Sequence, residues 1–551
     1  AYGPGSTGQG NQGNRGNRGN RGNRGKHRSC RAKKWHRTAV VTEKRGAEAG
    51  RKAGRQAFRT CTRARRAGQA GTVVDRTVTT DGCVVSVPAP GTTAPVRICY
   101  SLFQPKGSGT GNRVPLIMHI HGFGGSRTTD PAGFSTFLDA GYGVLSFDQR
   151  GLGESGGQAY VENPDAEGFD VRGLIQLVSK LRWVQLDGPG DPRMGAIGGS
   201  YGGGYQFLGA FESLRLRGVP VLDALASEIT WHDLEQSLAP SAVVRTAWAL
   251  ALSAAAAPSD ALPTSVKAGL AEGVATGEFP ASLRPFFARN GPKYHVENGR
   301  VLGIPVLFGQ GITDTLFPLE QGLTNFQSAI TAVARSRSIF VGYHGGHVLP
   351  AVYPRGVDVT SDPCSQELAG GTFEDLTVRF VDEQIKGAAT GLRGDGSYHL
   401  ATPTSTCVDV PSVAATTAVD VDTTVSPTGA GPAVATRVAE GPITVAGTPY
   451  LTGSLTALGL NNRAFVGLAM GTDAADAVLV QNNVLPINEP TPVRGAQRRI
   501  ALPSVAVEVP PGQHLFLLAS ATDTIFSGMS SRTPGVITID DTVRHLPVVA
   551  S

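Results

Sequence analysis

Met194-Gly195-Ala196-Ile197-Gly198-Gly199-Ser200-Tyr201-Gly202-Gly203-Gly204 decides how this 551-residue chain is read. Residues 194–197 are an apolar run suited to a strand buried on both faces of a parallel sheet. Residues 200–213 read as a helix. A serine between strand and helix, flanked by glycines, has the setting of a nucleophile elbow, where a sharp turn leaves the hydroxyl exposed. The five-residue pattern Gly-x-Ser-x-Gly is weak by itself, because a chain with 72 glycines yields about one match by chance. Gly153-Glu154-Ser155-Gly156-Gly157 also fits, but it lies in a glycine-rich loop with no helix directly after it. Context selects Ser200.

Working outward, apolar runs alternate with helical periodicity. Residues 77–87 and 96–103 read as a hairpin, and 115–121, 143–147, 221–226, 306–308 and 338–341 as further strands. Helices are expected over 131–140, 170–184, 319–334 and 373–386. The Ala- and Pro-rich stretch 232–300 interrupts this rhythm and reads as an inserted helical cap. Strand–helix alternation predicts a mainly parallel sheet covered on both faces, the α/β-hydrolase fold. Beyond residue 400, short runs rich in Thr and Val stand between turn residues and predict an all-β sandwich. The expected organisation is a basic tail over 1–72, a catalytic domain over 73–400 and a sandwich over 401–551.

A serine nucleophile needs a base, and the base needs an orienting carboxylate, in the chain order Ser, Asp, His for this fold. Asp314 follows the strand and turn 304–311, at the active edge of such a sheet. Gly342-Tyr343-His344-Gly345-Gly346-His347 follows the next strand. His344 and His347 compete for the base, and the two glycines before His347 favour it as the loop-borne one. The backbone N–H of Tyr201 and that of Phe123, in His121-Gly122-Phe123-Gly124-Gly125, are the expected oxyanion donors. His119 and His121 form an H-x-H pair, read as structural rather than metal-binding. No HExxH or CxxC pattern occurs, and neither a metal nor a cofactor is expected.

The net charge of +6 hides an asymmetry. Residues 1–76 hold 20 Lys or Arg against Glu43, Glu48 and Asp75, whereas the remainder is net acidic. Asn-Arg-Gly repeats four times over 14–25. Almost without apolar residues, this segment is read as a disordered tail suited to anionic surfaces. Aromatics that stack on bases are sparse in it, with Trp35 set among the basic residues, which argues against specific nucleic-acid binding. Six cysteines permit fifteen pairings; proximity favours Cys30 with Cys61, Cys83 with Cys99 and Cys364 with Cys407. An even cysteine count favours a secreted or cell-surface protein. No run reaches the roughly 20 apolar residues of a membrane helix.

Gly141-Tyr142-Gly143-Val144, followed by Asp148-Gln149-Arg150-Gly151-Leu152-Gly153-Glu154-Ser155-Gly156-Gly157, resembles the strand-four signature of the X-Pro dipeptidyl-peptidase and cocaine-esterase-like (S15) serine hydrolases. Gly199-Ser200-Tyr201-Gly202-Gly203 is similar to that family's nucleophile motif. Residues 380–387 resemble its last catalytic helix, and 510–520 a strand of its C-terminal jelly roll. The resemblance spans about 75–551 and implies a cap, a jelly-roll sandwich that helps wall the active-site cleft, and ester or amide hydrolysis. Cocaine-esterase-like members draw an oxyanion donor from a Tyr side chain after the third strand. Phe123 stands in that loop here, so a backbone N–H takes the role. A dipeptidyl-peptidase must also hold a free amine, for which Asp233 and Glu235 in the cap are the candidates. The alternatives are a carboxylesterase or acylase without peptidase activity, and a non-catalytic surface-binding protein on the same scaffold.

Overall fold

The computed structural model describes residues 73–347, 361–392, 396–421, 433–533 and 535–549, with residues 52, 55 and 56 ahead of them. Residues 1–72 form one unit and 73–551 another. The expected disorder of the tail and the Cys30–Cys61 pairing lie outside the described residues.

Ten strands of the second unit make one sheet. These are β1 (Val78–Ser86), β2 (Val96–Gln104), β3 (Leu116–Ile120), β4 (Gly143–Phe147), β5 (Met194–Gly199), β6 (Ala224–Glu228), β7 (Val306–Gly311), β8 (Ile339–Tyr343), β9 (Tyr398–Ala401) and β10 (Cys407–Val410). Their order across the sheet is β1-β2-β4-β3-β5-β6-β7-β8-β9-β10. Pairing is parallel from β4 to β9 and antiparallel at both edges. The central strands are almost wholly apolar because helices cover both faces. Among these are α1 (Ser135–Asp139), α2 (Glu167–Val178), α3 (Tyr201–Arg217), α7 (Leu319–Ser328) and α8 (Phe373–Lys386). Leu116, Met118 and Met194 feed one core, and Ile117, Val144 and Ala224 the other, as strand alternation requires.

Between β6 and β7 the chain leaves the sheet to build the cap, with α4 (Leu234–Leu238), α5 (Thr246–Ala256), α6 (Thr264–Thr276) and two shorter turns of helix. Disulfides join Cys83 to Cys99 across the β1–β2 hairpin, and Cys364 to Cys407 at the far edge. Cys83 and Cys99 stand directly opposite in the register.

Two expected elements differ. The helix read over 319–334 is two, because Thr331 accepts the N–H of Ala334 and starts a new helix at Ala332. The change of texture near 400 falls inside the β9–β10 hairpin, which still belongs to the large sheet. Residues beyond it form antiparallel sheets around their own core, including Leu451, Val466, Val507 and Leu517. The loop 523–529 of this β-rich part grips the start of α5. Ile525 accepts the N–H of Ala247 at 3.1 Å, and Ser527 accepts the Thr246 hydroxyl at 2.7 Å.

Candidate active site

Ser200 sits where β5 hands over to α3, with φ 57° and ψ −121°. A non-glycine residue holds that conformation only under constraint. The constraints are visible. The Ser200 N–H donates to the Glu228 carbonyl at 2.9 Å, and the Gln206 side-chain amide donates to the carbonyls of Gly198 and Ala226. A Cβ on Gly198 would lie 2.1 Å from the Ile120 carbonyl oxygen, and one on Gly202 would lie 2.0 Å from it. The glycines of the motif therefore let the elbow press against β3, as well as letting it turn.

The loops after β7 and β8 bring the other two residues in. Asp314 follows β7, and its Oδ1 accepts the N–H groups of Leu316 and Phe317 at 2.8 and 2.9 Å. That leaves Oδ2, 2.7 Å from His347 Nδ1. His347 Nε2 is 2.8 Å from Ser200 Oγ. All three side chains thus form one hydrogen-bonded line. Asp314 is 1% exposed, so little solvent competes for its carboxylate. Thr313 ties the two loops together, donating through its N–H and hydroxyl to the Gly345 carbonyl. The rings of Trp248 and Phe317 make T-shaped contacts with His347, with centroids 5.3 and 5.1 Å away.

His344 points elsewhere, with Nε2 2.7 Å from the Thr402 carbonyl. Ser155 is likewise occupied: its hydroxyl donates to the Asp148 carbonyl and accepts the Cys99 N–H. His119 pairs with the Ser146 hydroxyl, and burial lowers its pKa to about 4. His121 bonds the Gly122 carbonyl through Nδ1. His399, Cys407 and Asp409 also converge, but the Cys407 sulfur is bound to Cys364, which leaves two donors.

The second oxyanion donor requires the loop after β3 to lie beside the elbow. Gly122 does so, its Cβ position being 3.9 Å from Ser200 Cβ. Among the described residues, the N–H groups of Tyr201 and Phe123 donate to no protein acceptor. Gln149 holds this loop, its side-chain amide donating to the His121 carbonyl. Arg150 forms a buried pair with Asp170 at 2.6 Å. Gln149, Gln206 and Trp248, which touch the loop after β3, the elbow and His347, are not singled out by the sequence, where these partners lie 28, 8 and 99 residues away.

An apolar cavity opens at Ser200 and runs beneath the cap. Phe123, Tyr201, Trp231, Leu252, Val266 and Leu283 are among its lining residues. Most of its lining comes from the cap, and no described sandwich residue lines it. The sandwich instead braces the cap from behind. Neither amine-holding candidate reaches the cavity. Asp233 caps α4 and pairs with Lys293 at 2.6 Å, and Glu235 pairs with Arg284.

The sequence pattern of the X-Pro dipeptidyl-peptidase (S15 family) matches residues 94–279, the segment that carries β3, the elbow and most of the cap. Over that segment, about a third of its length, the chain is similar to the S15 hydrolases. Two curated Escherichia coli relatives, each an uncharacterized 31.7 kDa protein in the traX-finO intergenic region, are 33% and 32% identical over 104 residues. That stretch is 19% of this chain and 35% of either relative. The fold is shared with an aminopeptidase from a marine sediment Thaumarchaeota archaeon, at TM-score 0.60 and 13% identity over 87% of this chain and 97% of the other. A Staphylococcus aureus CocE/NonD family hydrolase superposes with TM-score 0.56 and 13% identity, over 87% and 99% of the two chains. An alpha-amino acid ester hydrolase does so with TM-score 0.53 and 12% identity, over 88% and 98%. At such identities these structures show a shared fold alone.

Proposed function

We propose that this chain is a serine hydrolase of the S15 type that cleaves an ester or amide through an acyl-enzyme on Ser200. The hydrogen-bonded line from Ser200 through His347 to Asp314 carries the reading. With Nδ1–H donated to Asp314, His347 keeps its lone pair on Nε2, facing the serine hydroxyl. His347 takes the Ser200 proton as Oγ attacks the carbonyl carbon. The oxyanion that forms is met by the N–H groups of Tyr201 and Phe123, fixed dipoles that need no rearrangement. His347 then passes the proton to the leaving group. A water, deprotonated by the same nitrogen, releases the acid. No step calls on a metal or cofactor.

In this reading residues 73–410 do the chemistry, the cap selects the acyl group, and the β-rich remainder steadies the cap. The disulfides support export to an oxidising compartment, and no described helix is long and apolar enough to cross a membrane. The basic segment 1–72 would serve to hold the protein at an anionic surface. Replacing Ser200 with Ala should lower turnover of a p-nitrophenyl ester by roughly 10⁵–10⁶-fold, with thermal unfolding unchanged. Undiminished activity in that variant would refute the assignment of Ser200, whereas no turnover by parent or variant would favour a binding protein on a hydrolase scaffold.

A further inference from the structure

We infer that the acyl group this site accepts is an aliphatic chain housed under the cap, so that the substrate is a lipophilic ester and not a peptide with a free N-terminal amine. The inference rests on the acyl-enzyme reading above and names the substrate class of that same site.

The cavity begins at the Ser200 side chain, where an acyl carbon must sit during the reaction, and leads away between the cap helices. Leu252 of α5, Val266 and Leu270 of α6, and Leu283 and Phe287 beyond it supply hydrocarbon on several sides. Among the described residues no Asp, Glu, Lys, Arg or His lines it. Ser253, a polar lining residue, spends its hydroxyl on the Ala249 carbonyl at 2.8 Å. The wall is closely built. An added Cβ on Gly269 would fall 2.4 Å from Leu283 Cγ, so the glycine lets the following segment pack directly onto α6.

An ammonium group drawn into such a space would lose its hydration and gain no carboxylate in return. The nearby acids are directed elsewhere. Asp233 and Glu235 face Lys293 and Arg284. Glu162 follows the lining residue Val161, but its carboxyl is turned onto α3, where a Cβ on Gly204 would lie 2.4 Å from Oε1. An alkyl chain meets none of these costs. Each methylene it buries is worth a roughly threefold to fourfold gain in kcat/KM, until the pocket is full.

The test uses the purified full chain with p-nitrophenyl acetate, butyrate and octanoate, and with alanyl-prolyl p-nitroanilide. The expected result is a rise in kcat/KM of roughly tenfold or more from acetate to octanoate, carried mainly by KM because the chain is bound alike before and during reaction. The dipeptide anilide should be turned over at less than about one-hundredth of the octanoate rate. Leu252→Trp and Leu270→Trp, on two different helices and both at partly exposed positions, should each lower the octanoate-to-acetate ratio by roughly tenfold. Acetate turnover with a flat or falling series, a preference for the anilide, or ratios unmoved in both variants would overturn the inference and leave the acyl-enzyme reading standing. No turnover of any substrate, together with no reaction of Ser200 with a fluorophosphonate, would bring down both.

Discussion

Two histidines three residues apart have opposite surroundings. His347 stands between Ser200 Oγ and Asp314 Oδ2, whereas His344 is buried against the Thr402 carbonyl. Under the proposed mechanism, His347→Gln should cut kcat by roughly 10³–10⁵-fold with little change in unfolding temperature. His344→Gln should do the reverse, keeping activity within about tenfold while lowering the unfolding temperature, because it breaks a buried hydrogen bond. Steady-state kinetics and thermal melts on the pair check this; equal losses of activity would contradict it. The sequence made the Ser, Asp and His positions legible because each follows the end of a recognisable apolar strand. It could not show how His347 is steadied. The rings of Trp248 and Phe317 reach it from a cap helix and from the turn after Asp314, a meeting that only the fold creates.

At the scale of elements, the joint between β5 and β6 carries a titratable tie. Asp223, just before β6, accepts the Met194 N–H at 2.8 Å at the start of β5. Burial raises its pKa from 3.8 to about 7, despite that hydrogen bond. The unfolded carboxyl releases its proton near pH 4, while the folded one keeps it until about pH 7. Stability from this group is therefore fully present below pH 4 and lost as pH rises toward 7. Asparagine keeps the acceptor oxygen and carries no proton to lose. Asp223→Asn should match the parent near pH 4 and melt higher at pH 8, by roughly 2 °C, the group being partly open to solvent. A pH-independent difference in melting temperature would contradict the assignment. The strands and helices of the parallel sheet were readable from their periods, since each is a long apolar or amphipathic run. The β9–β10 hairpin was not: two four-residue strands around the Thr-rich turn 402–406 read like the sandwich that follows, and only parallel pairing of β9 with β8 shows where they belong. Alternation marks a strand without naming its partner.

For the molecule as a whole, the β-rich part acts on the site at one remove, through the loop 523–529 and α5. Phe526 is 1% exposed, packs on Phe465 with centroids 5.1 Å apart, and lies beneath the Arg245 guanidinium. Its neighbours Ile525 and Ser527 hold the first turn of α5, which carries Trp248 to His347. Phe526→Ala should cost about 3–5 kcal/mol of stability and also lower kcat/KM for a long-chain ester, because the cap loses its brace. Calorimetry with parallel kinetics tests this; a loss of stability with kinetics unchanged would uncouple the sandwich from the site. The S15 resemblance anticipated a sandwich beside the cleft, and the structure has it touching the cap rather than the cavity. Neither composition nor period could indicate that, because it depends on which face of α5 looks inward.

The claim on which the rest depends is that Ser200 is the nucleophile, and covalent labelling tests it most directly. The full chain is treated with a fluorophosphonate, digested, and mapped by mass spectrometry alongside the Ser200→Ala variant. The account predicts one adduct per chain, on the peptide containing Ser200, and none in the variant. An adduct on Ser155, or none on the parent chain, would contradict it.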